Sequence, residues 1–266
     1  MTIIQSLILG LIEGLTEFLP ISSTAHLILG AKALRLPDDN FLNTFIISIQ
    51  VGAILAVLIL YWRRVIGNFK IIKKIITAFI PTALIGFIFY KIIKTILMDS
   101  LLVIAVSLIV GGLLIFYFEK MASRKYLKTE EGPESQLADS LETISYPQAF
   151  ILGLVQALAV IPGVSRSGAT IIGGLAQGIK RQTVVEFSFL LAIPTILAAT
   201  VYDLYKNPEV LSGFNLPLWL IGFIVAFITA LLGIKFFLKY IKQNDFKIFA
   251  WYRLILGLII LGVIFL

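Results

Sequence analysis

The chain has 266 residues, 59% of them hydrophobic and 14% charged, with a mean hydropathy of +1.00. So much apolar surface excludes an ordinary water-soluble domain and reads as an all-α polytopic membrane protein. The formal net charge of +7 would suit a nucleic-acid binder, but the basic residues flank apolar segments and form no patch interleaved with aromatics, so nucleic acid is excluded as a partner. With no Cys, disulfides and thiolate metal sites are excluded as well.

In chain order, the first apolar stretch covers about residues 2–34. It has no preceding basic residue and no small-residue cleavage site, so it is expected to stay in the mature protein. Its centre is broken at Leu19-Pro20-Ile21-Ser22-Ser23. Proline removes a backbone donor and disfavours helix in the residue before it, and Ser at the restart is a good N-cap. Thr2 to Leu19 is 18 residues, but Ser23 to Leu34 is only 12, too few to cross a bilayer alone. A re-entrant hairpin is therefore expected in preference to a kinked crossing.

Three spanning helices follow, at about 41–62, 74–95 and 100–120. Residues 121–145, which include the polar run KTEEGPESQLADSLETIS at 128–145, read as a cytoplasmic linker. Residues 146–179 repeat the first pattern, with a break at Ile161-Pro162-Gly163-Val164-Ser165, and read as a second hairpin. Three more spans are expected at about 183–205, 216–240 and 248–266. The whole is one membrane domain, with a first repeat at 1–120 and a second at 146–266.

Residues 8–30 and 151–173 align without a gap at an offset of 143 and share eight of 23 positions, which points to an internal duplication. Each repeat holds a hairpin plus three crossings. Three is odd, so the second hairpin enters from the opposite face, and the fold class is inverted-topology repeats with six transmembrane helices and two re-entrant helical hairpins. On this topology 16 basic residues, Arg253 among them, fall on one side and five on the other. The positive-inside rule then puts the first hairpin and both termini on the outer face.

The polar residues of the hairpins are the candidates for chemistry. Glu13 and Glu17 are four apart and share a helix face. Two such carboxylates inside a membrane need a divalent cation, an arginine or a shared proton, and an oxygen-rich pair suits Mg²⁺ or Ca²⁺. Ser22, Ser23 and Thr24 lie at the start of one half-helix, and Ser165, Arg166 and Ser167 at the start of the other. Helix starts offer unpartnered N–H groups and a positive dipole end, so the two together form an anion site that fits phosphate better than carboxylate. The rival readings are an interfacial helix with solvated glutamates, serines that only cap, and an arginine that snorkels. His26, the only histidine, lies one turn beyond Ser23, and its imidazole could act as base or acid there or could simply pack. Glu186 could equally be a solvated helix end.

EGLTEFLPISSTAHL at 13–27 and PGVSRSGAT at 162–170 resemble the two signature motifs of the bacitracin-resistance family of undecaprenyl-diphosphate phosphatases. QVGAILAV at 50–57, YWRR at 61–64 and EFSFLLAIPTILAAT at 186–200 extend the resemblance over nearly the whole chain. It implies a membrane enzyme that removes the terminal phosphate of a polyprenyl diphosphate, needs a divalent cation, and opens its site to the outer face. Glu13 and Glu17 match the acidic pair of the first motif, followed by Ser22, Ser23, Thr24 and His26. Ser165, Arg166, Ser167 and Thr170 match the second. Ile46 departs from the family, where an acidic residue is expected.

On this reading Glu13 and Glu17 hold the cation and Arg166 binds phosphate. Ser22, Thr24, Ser165, Ser167 and Thr170 line the substrate. Ser23 attacks with His26 or Glu17 as base, unless water attacks directly. The partners are the lipid and the membrane, with a homodimer left open. The alternative from another class is a secondary transporter or lipid flippase, which inverted repeats with broken helices also build.

Overall fold

The computed structural model describes residues 1–37, 39–92, 100–129, 138–211 and 215–265. Ten α-helices run through them: α1 (Ile3–Thr16), α2 (Ser23–Ala33), α3 (Asn40–Val65), α4 (Phe69–Ile92), α5 (Leu101–Thr129), α6 (Tyr146–Ala157), α7 (Arg166–Ala176), α8 (Arg181–Lys206), α9 (Asn215–Ile241) and α10 (Lys247–Phe265). Six of these, α3, α4, α5, α8, α9 and α10, are long and apolar enough to cross a membrane. Their outward faces carry exposed large apolar side chains such as Leu84, Leu113, Ile228 and Val263, as a lipid-facing surface requires.

The expected spans all correspond to one of these helices, with displaced ends. Helix α4 starts at Phe69 and not near 74, because Asn68 accepts from the Ile71 N–H at 3.3 Å and begins the helix a turn earlier. Helix α5 continues to Thr129, into the stretch expected as linker. Residues 93–95 of the second expected span, and 130–137 of the linker, lie outside the described residues.

The hairpin helices are short. α1 has 14 residues and α2 has 11, so at about 1.5 Å per residue neither reaches across the ~30 Å apolar core of a bilayer. α6, with 12 residues extended by a 3₁₀ turn at Leu158–Val160, and α7, with 11, are alike. The first break opens earlier than expected, since α1 ends at Thr16 with Glu17 as its C-cap. Glu17 keeps helical dihedrals and its N–H still donates to the Glu13 carbonyl, so the two glutamates share a face as the spacing implies.

The two hairpins are packed alike by equivalent residues. Helix α1 lies against α9, and α6 against α4. A Cβ on Gly10 would stand 2.5 Å from the Gly222 carbonyl oxygen, and one on Gly153, its counterpart at the offset of 143, would stand 1.9 Å from that of Ala78. Gly30 faces Ile12 within the first hairpin, and their counterparts Gly173 and Val155 face each other within the second. The recurring glycines therefore mark recurring close contacts. Around them, α3 packs on α8 and α5 on α10, over a core that includes Phe18, Phe187, Phe189 and Phe237.

Gly153→Val drives a branched side chain into the α4 backbone, a clash expected to cost about 1–3 kcal/mol. Thermal unfolding in detergent should show a lowered midpoint for Gly153→Val but not for Gly262→Val, whose added Cβ meets nothing within 4 Å. Equal midpoints would show that the helices are not held at this distance.

Candidate active site

The two breaks share one unusual backbone feature. Ser22 has φ 72° and Ser165 has φ 73°, a left-handed region that non-glycine residues seldom enter. These serines occupy the same place in the duplication, and each caps the half-helix that follows, Ser22 Oγ accepting from the Ala25 N–H and Ser165 Oγ from the Gly168 N–H. The capping hydroxyl offsets part of the backbone strain and fixes the direction in which each half-helix sets out. Among the described residues, the N–H groups of Ser23, Thr24, Arg166 and Ser167 then have no acceptor.

Both half-helix starts reach one cavity of about 500 Å³. Glu17, Ser22, Ser23, Thr24, Ser165 and Arg166 form its polar end, and apolar side chains such as Ile46, Phe79, Phe87 and Ile196 form the walls. Ile46 thus stands on the wall, where the family resemblance leads one to expect an acid. Within the polar end, the Ser23 hydroxyl donates to Glu17 Oε2. Glu17 Oε1 accepts from Arg166 Nε at 3.3 Å and Nη2 at 3.2 Å, and Arg166 Nη1 donates to the Ser188 carbonyl at 2.7 Å. With a longer bond from Nη1 to the Ser188 hydroxyl at 3.5 Å, these engage four of the five guanidinium N–H donors and leave one on Nη2 for an anion. Phe18 lies under the guanidinium, 6.0 Å from ring centroid to Cζ.

Other expected residues lie elsewhere. His26 does not face Ser23 or Glu17. Its Nδ1 meets the Ser22 carbonyl at 2.7 Å and its Nε2 meets the Tyr252 hydroxyl at 2.6 Å, with the two rings stacked. A carbonyl only accepts, so Nδ1 carries the proton and Nε2 accepts from Tyr252. Helical spacing brings His26 to the right turn of α2, but its ring folds back on the break, so of the two expected bases only Glu17 meets the Ser23 hydroxyl. Ser167 and Thr170 are packed behind the cavity: Ser167 Oγ donates to the Phe18 carbonyl at 2.9 Å and Thr170 Oγ1 to that of Arg166 at 2.9 Å. Ser167 thereby ties the second hairpin to the first, Thr170 bonds within α7, and neither lines the cavity. Glu186 pairs with Arg64 and accepts from Gln182, far from a solvated end.

Glu13 is fully buried, and neither of its carboxylate oxygens has a hydrogen-bond partner. The charges that act on it are Glu17 and Arg166. An orphaned carboxyl beside a second carboxylate is a donor set that a hard cation completes, so Glu13 and Glu17 fit Mg²⁺ or Ca²⁺. Among the described residues no three His, Cys, Asp or Glu side chains cluster, so most of a cation's oxygens would have to come from ligand or water.

Sequence reasoning missed Arg253. Counted there among inner-face charges, it is fully buried and all of its hydrogen bonds go to backbone carbonyls. The basic count becomes 15 against five. An ionisable residue well inside an expected span is itself a signal of function, and that signal was present.

Replacing Arg166 by Ala leaves Glu17 charged and buried, expected to cost about 3–5 kcal/mol. The Glu17→Ala/Arg166→Ala double variant should lose less than the sum of the single losses in thermal unfolding. Additive losses would mean that the pair is not coupled.

A family model described as bacitracin resistance protein BacA matches residues 6–259. The chain is 48% identical to the undecaprenyl-diphosphatase of Aquifex aeolicus over 262 residues, 97% of each protein. It is 48% identical to that of Wolinella succinogenes over 98% of each, and 40% identical to that of Bdellovibrio bacteriovorus over 100% of this chain and 97% of the relative.

Proposed function

The chain belongs to the bacitracin resistance protein BacA family, and from that premise we propose that it is an integral-membrane phosphatase that hydrolyses undecaprenyl diphosphate to the monophosphate and inorganic phosphate. Such an enzyme returns the lipid carrier to cell-wall synthesis. The observation that carries the reading is the Ser23 hydroxyl seated on the Glu17 carboxylate, beside Arg166 and two half-helix starts, at the polar end of an apolar-walled cavity. A diphosphate head and a polyprenyl tail call for those two environments.

The terminal phosphate occupies the space between the half-helix starts, with the N–H groups of Ser23, Thr24 and Arg166, the Thr24 hydroxyl and the remaining guanidinium donor on its oxygens. Donors fixed in place before the reaction stabilise charge as it spreads over those oxygens. Ser23 Oγ forms a bond to the terminal phosphorus while its proton passes to Glu17 Oε2. The bond from that phosphorus to the bridging oxygen breaks, and the lipid leaves as the monophosphate. Glu17 hands that proton to the departing monophosphate. Water then attacks the phosphoserine, giving a proton to the freed Glu17 carboxylate, which passes it to Ser23 Oγ as the serine–phosphorus bond breaks and inorganic phosphate is released. In the rival course, Glu17 takes the proton from a water that attacks directly. Glu13 and Glu17 would hold Mg²⁺ or Ca²⁺, which neutralises charge on diphosphate oxygens when bound.

The hairpins are read as re-entrant from opposite faces, with the site open to the outer face; the 15-to-five basic asymmetry and the short hairpin helices support this. A homodimer would add no residue to the polar end, since both half-helix starts come from one chain. Transport or flipping alone would require the anion site but not a hydroxyl held on a carboxylate.

Purified protein given a polyprenyl diphosphate should release phosphate, and release should stop in Glu17→Ala and Arg166→Ala and after chelation of divalent cations. Near-normal turnover in either variant would defeat the site assignment. In Ser23→Ala, retained turnover would transfer the attack to water, whereas a phosphorylated serine trapped in the parent protein would fix it on Ser23.

His26 supplies a separate test. Asn can reproduce the Nδ1 donation to the Ser22 carbonyl and Ala cannot, so His26→Asn should turn over faster than His26→Ala. Equal loss in both would restore a proton-transfer role to the ring.

A further inference from the structure

Arg253 is the seventh residue of α10 and is 0% exposed. A guanidinium has five N–H donors, and here each has a backbone carbonyl. Nε donates to Leu108 at 3.3 Å, Nη1 to Pro20 at 3.2 Å and Val164 at 3.1 Å, and Nη2 to Ser107 and Gly163 at 2.9 Å each. Ser107 and Leu108 belong to α5, but Pro20 is in the first break and Gly163 and Val164 are in the second. One side chain therefore fastens both breaks to each other and to a spanning helix.

The surroundings are built to admit it. A Cβ on Gly111 of α5 would stand 2.0 Å from Arg253 Nη2, so only glycine leaves the guanidinium its place. Gly163, with φ +91°, turns the second break so that its carbonyl reaches Nη2, and a Cβ there would meet the Ile104 carbonyl at 2.8 Å. The preceding residue on α10, Tyr252, holds His26, which in turn holds the Ser22 carbonyl. Two consecutive α10 residues thus grip the first break, and Arg253 grips the second as well.

Arg253 does not line the cavity, so it does not meet substrate. Building on the phosphatase reading, we infer that Arg253 is a positioning residue: it draws the carbonyls of both breaks to the rear, so that Ser23 and Arg166, with the N–H ends of their half-helices, face one phosphate at a fixed separation. Its charge, with no carboxylate bonded to it, also lies behind the phosphate site. A lysine keeps that charge but has three donors on a single nitrogen and cannot span the five carbonyls.

The test compares Arg253→Lys with Glu119→Gln in detergent, following thermal unfolding, kcat per folded molecule, KM and inhibition by inorganic phosphate. Glu119 anchors the start of α10, bonding Arg181 and the Phe246 N–H, and does not line the cavity, so its loss weakens the fold without touching the breaks. Arg253→Lys should lose kcat by about 10- to 100-fold, as expected for misplaced reacting groups, and should be inhibited less by phosphate. Glu119→Gln should keep kcat per folded molecule. Where Arg253→Lys does not fold, Gly111→Ala, which displaces the guanidinium without removing it, should give the same kcat loss.

Parental kcat in the folded variant, or loss only in proportion to unfolded protein, would overturn the positioning role. Parent protein that releases no phosphate from a polyprenyl diphosphate would overturn the phosphatase reading and this role with it. Parental release together with unaltered Arg253→Lys turnover would overturn this role alone.

Discussion

A helix that stops in the apolar interior of a bilayer exposes backbone groups that no water can satisfy, and each such group costs several kcal/mol if left alone. On the re-entrant reading proposed above, this chain stops two helices in that way. Each break has a carbonyl side and an N–H side, and the two sides are treated differently. Carbonyls of Pro20, Gly163 and Val164 are taken up by Arg253, and that of Ser22 by His26. The N–H groups that begin α2 and α7 are left open at the cavity. The protein satisfies the half of the backbone that would repel an anion and leaves free the half that attracts one, so the constraint that makes breaks expensive also makes the site.

The same constraint explains how so short a polar inventory suffices. Ser167 does not line the cavity, yet it joins the hairpins by donating to the Phe18 carbonyl. That bond helps set the distance between the starts of α2 and α7. Ser22 and Ser165 adopt strained backbone angles and cap the helices that follow. Residues that never meet a phosphate oxygen still hold those that do within the narrow tolerance that phosphoryl transfer demands.

Much of this was legible in the sequence. Hydropathy located the six long helices, Pro and Ser located the breaks, and the offset of 143 paired them. The glycines shared by both copies pointed to contacts that were then found in both. What stayed hidden depends on direction. Spacing places His26 on the right turn of α2, but whether the ring turns toward Ser23 or back onto Ser22 is a rotamer choice made by Tyr252, 226 residues away. Arg253 was overlooked because it adds to the inner-face charge count, and the five carbonyls that reveal its role come from three separate segments. Helix ends moved too, α4 starting at Phe69 because a single Asn side chain supplies a cap that hydropathy does not register.

The duplication also supplies an internal comparison, because each copy shows what the other position would look like without chemistry. Gln156 takes the place of Glu13 in the second copy. Its amide nitrogen donates to Thr82 and Thr195 and its oxygen lies 3.3 Å from the Thr170 hydroxyl, so protein supplies its neighbours. Glu13, equally buried, has no partner for either oxygen. The first copy therefore lacks protein partners at the very position where the second has several. A fold that had no use for an unpartnered carboxyl could have settled it with a neutral amide, as the second copy does. Val160 stands opposite Glu17 in the alignment, and Arg166 opposite Ser23, so the acidic group and the hydroxyl come from one hairpin and the cation from the other. Glu17 accepts from both Ser23 and Arg166, and this carboxylate is the point at which the two copies, similar in backbone and unlike in side chains, become one site.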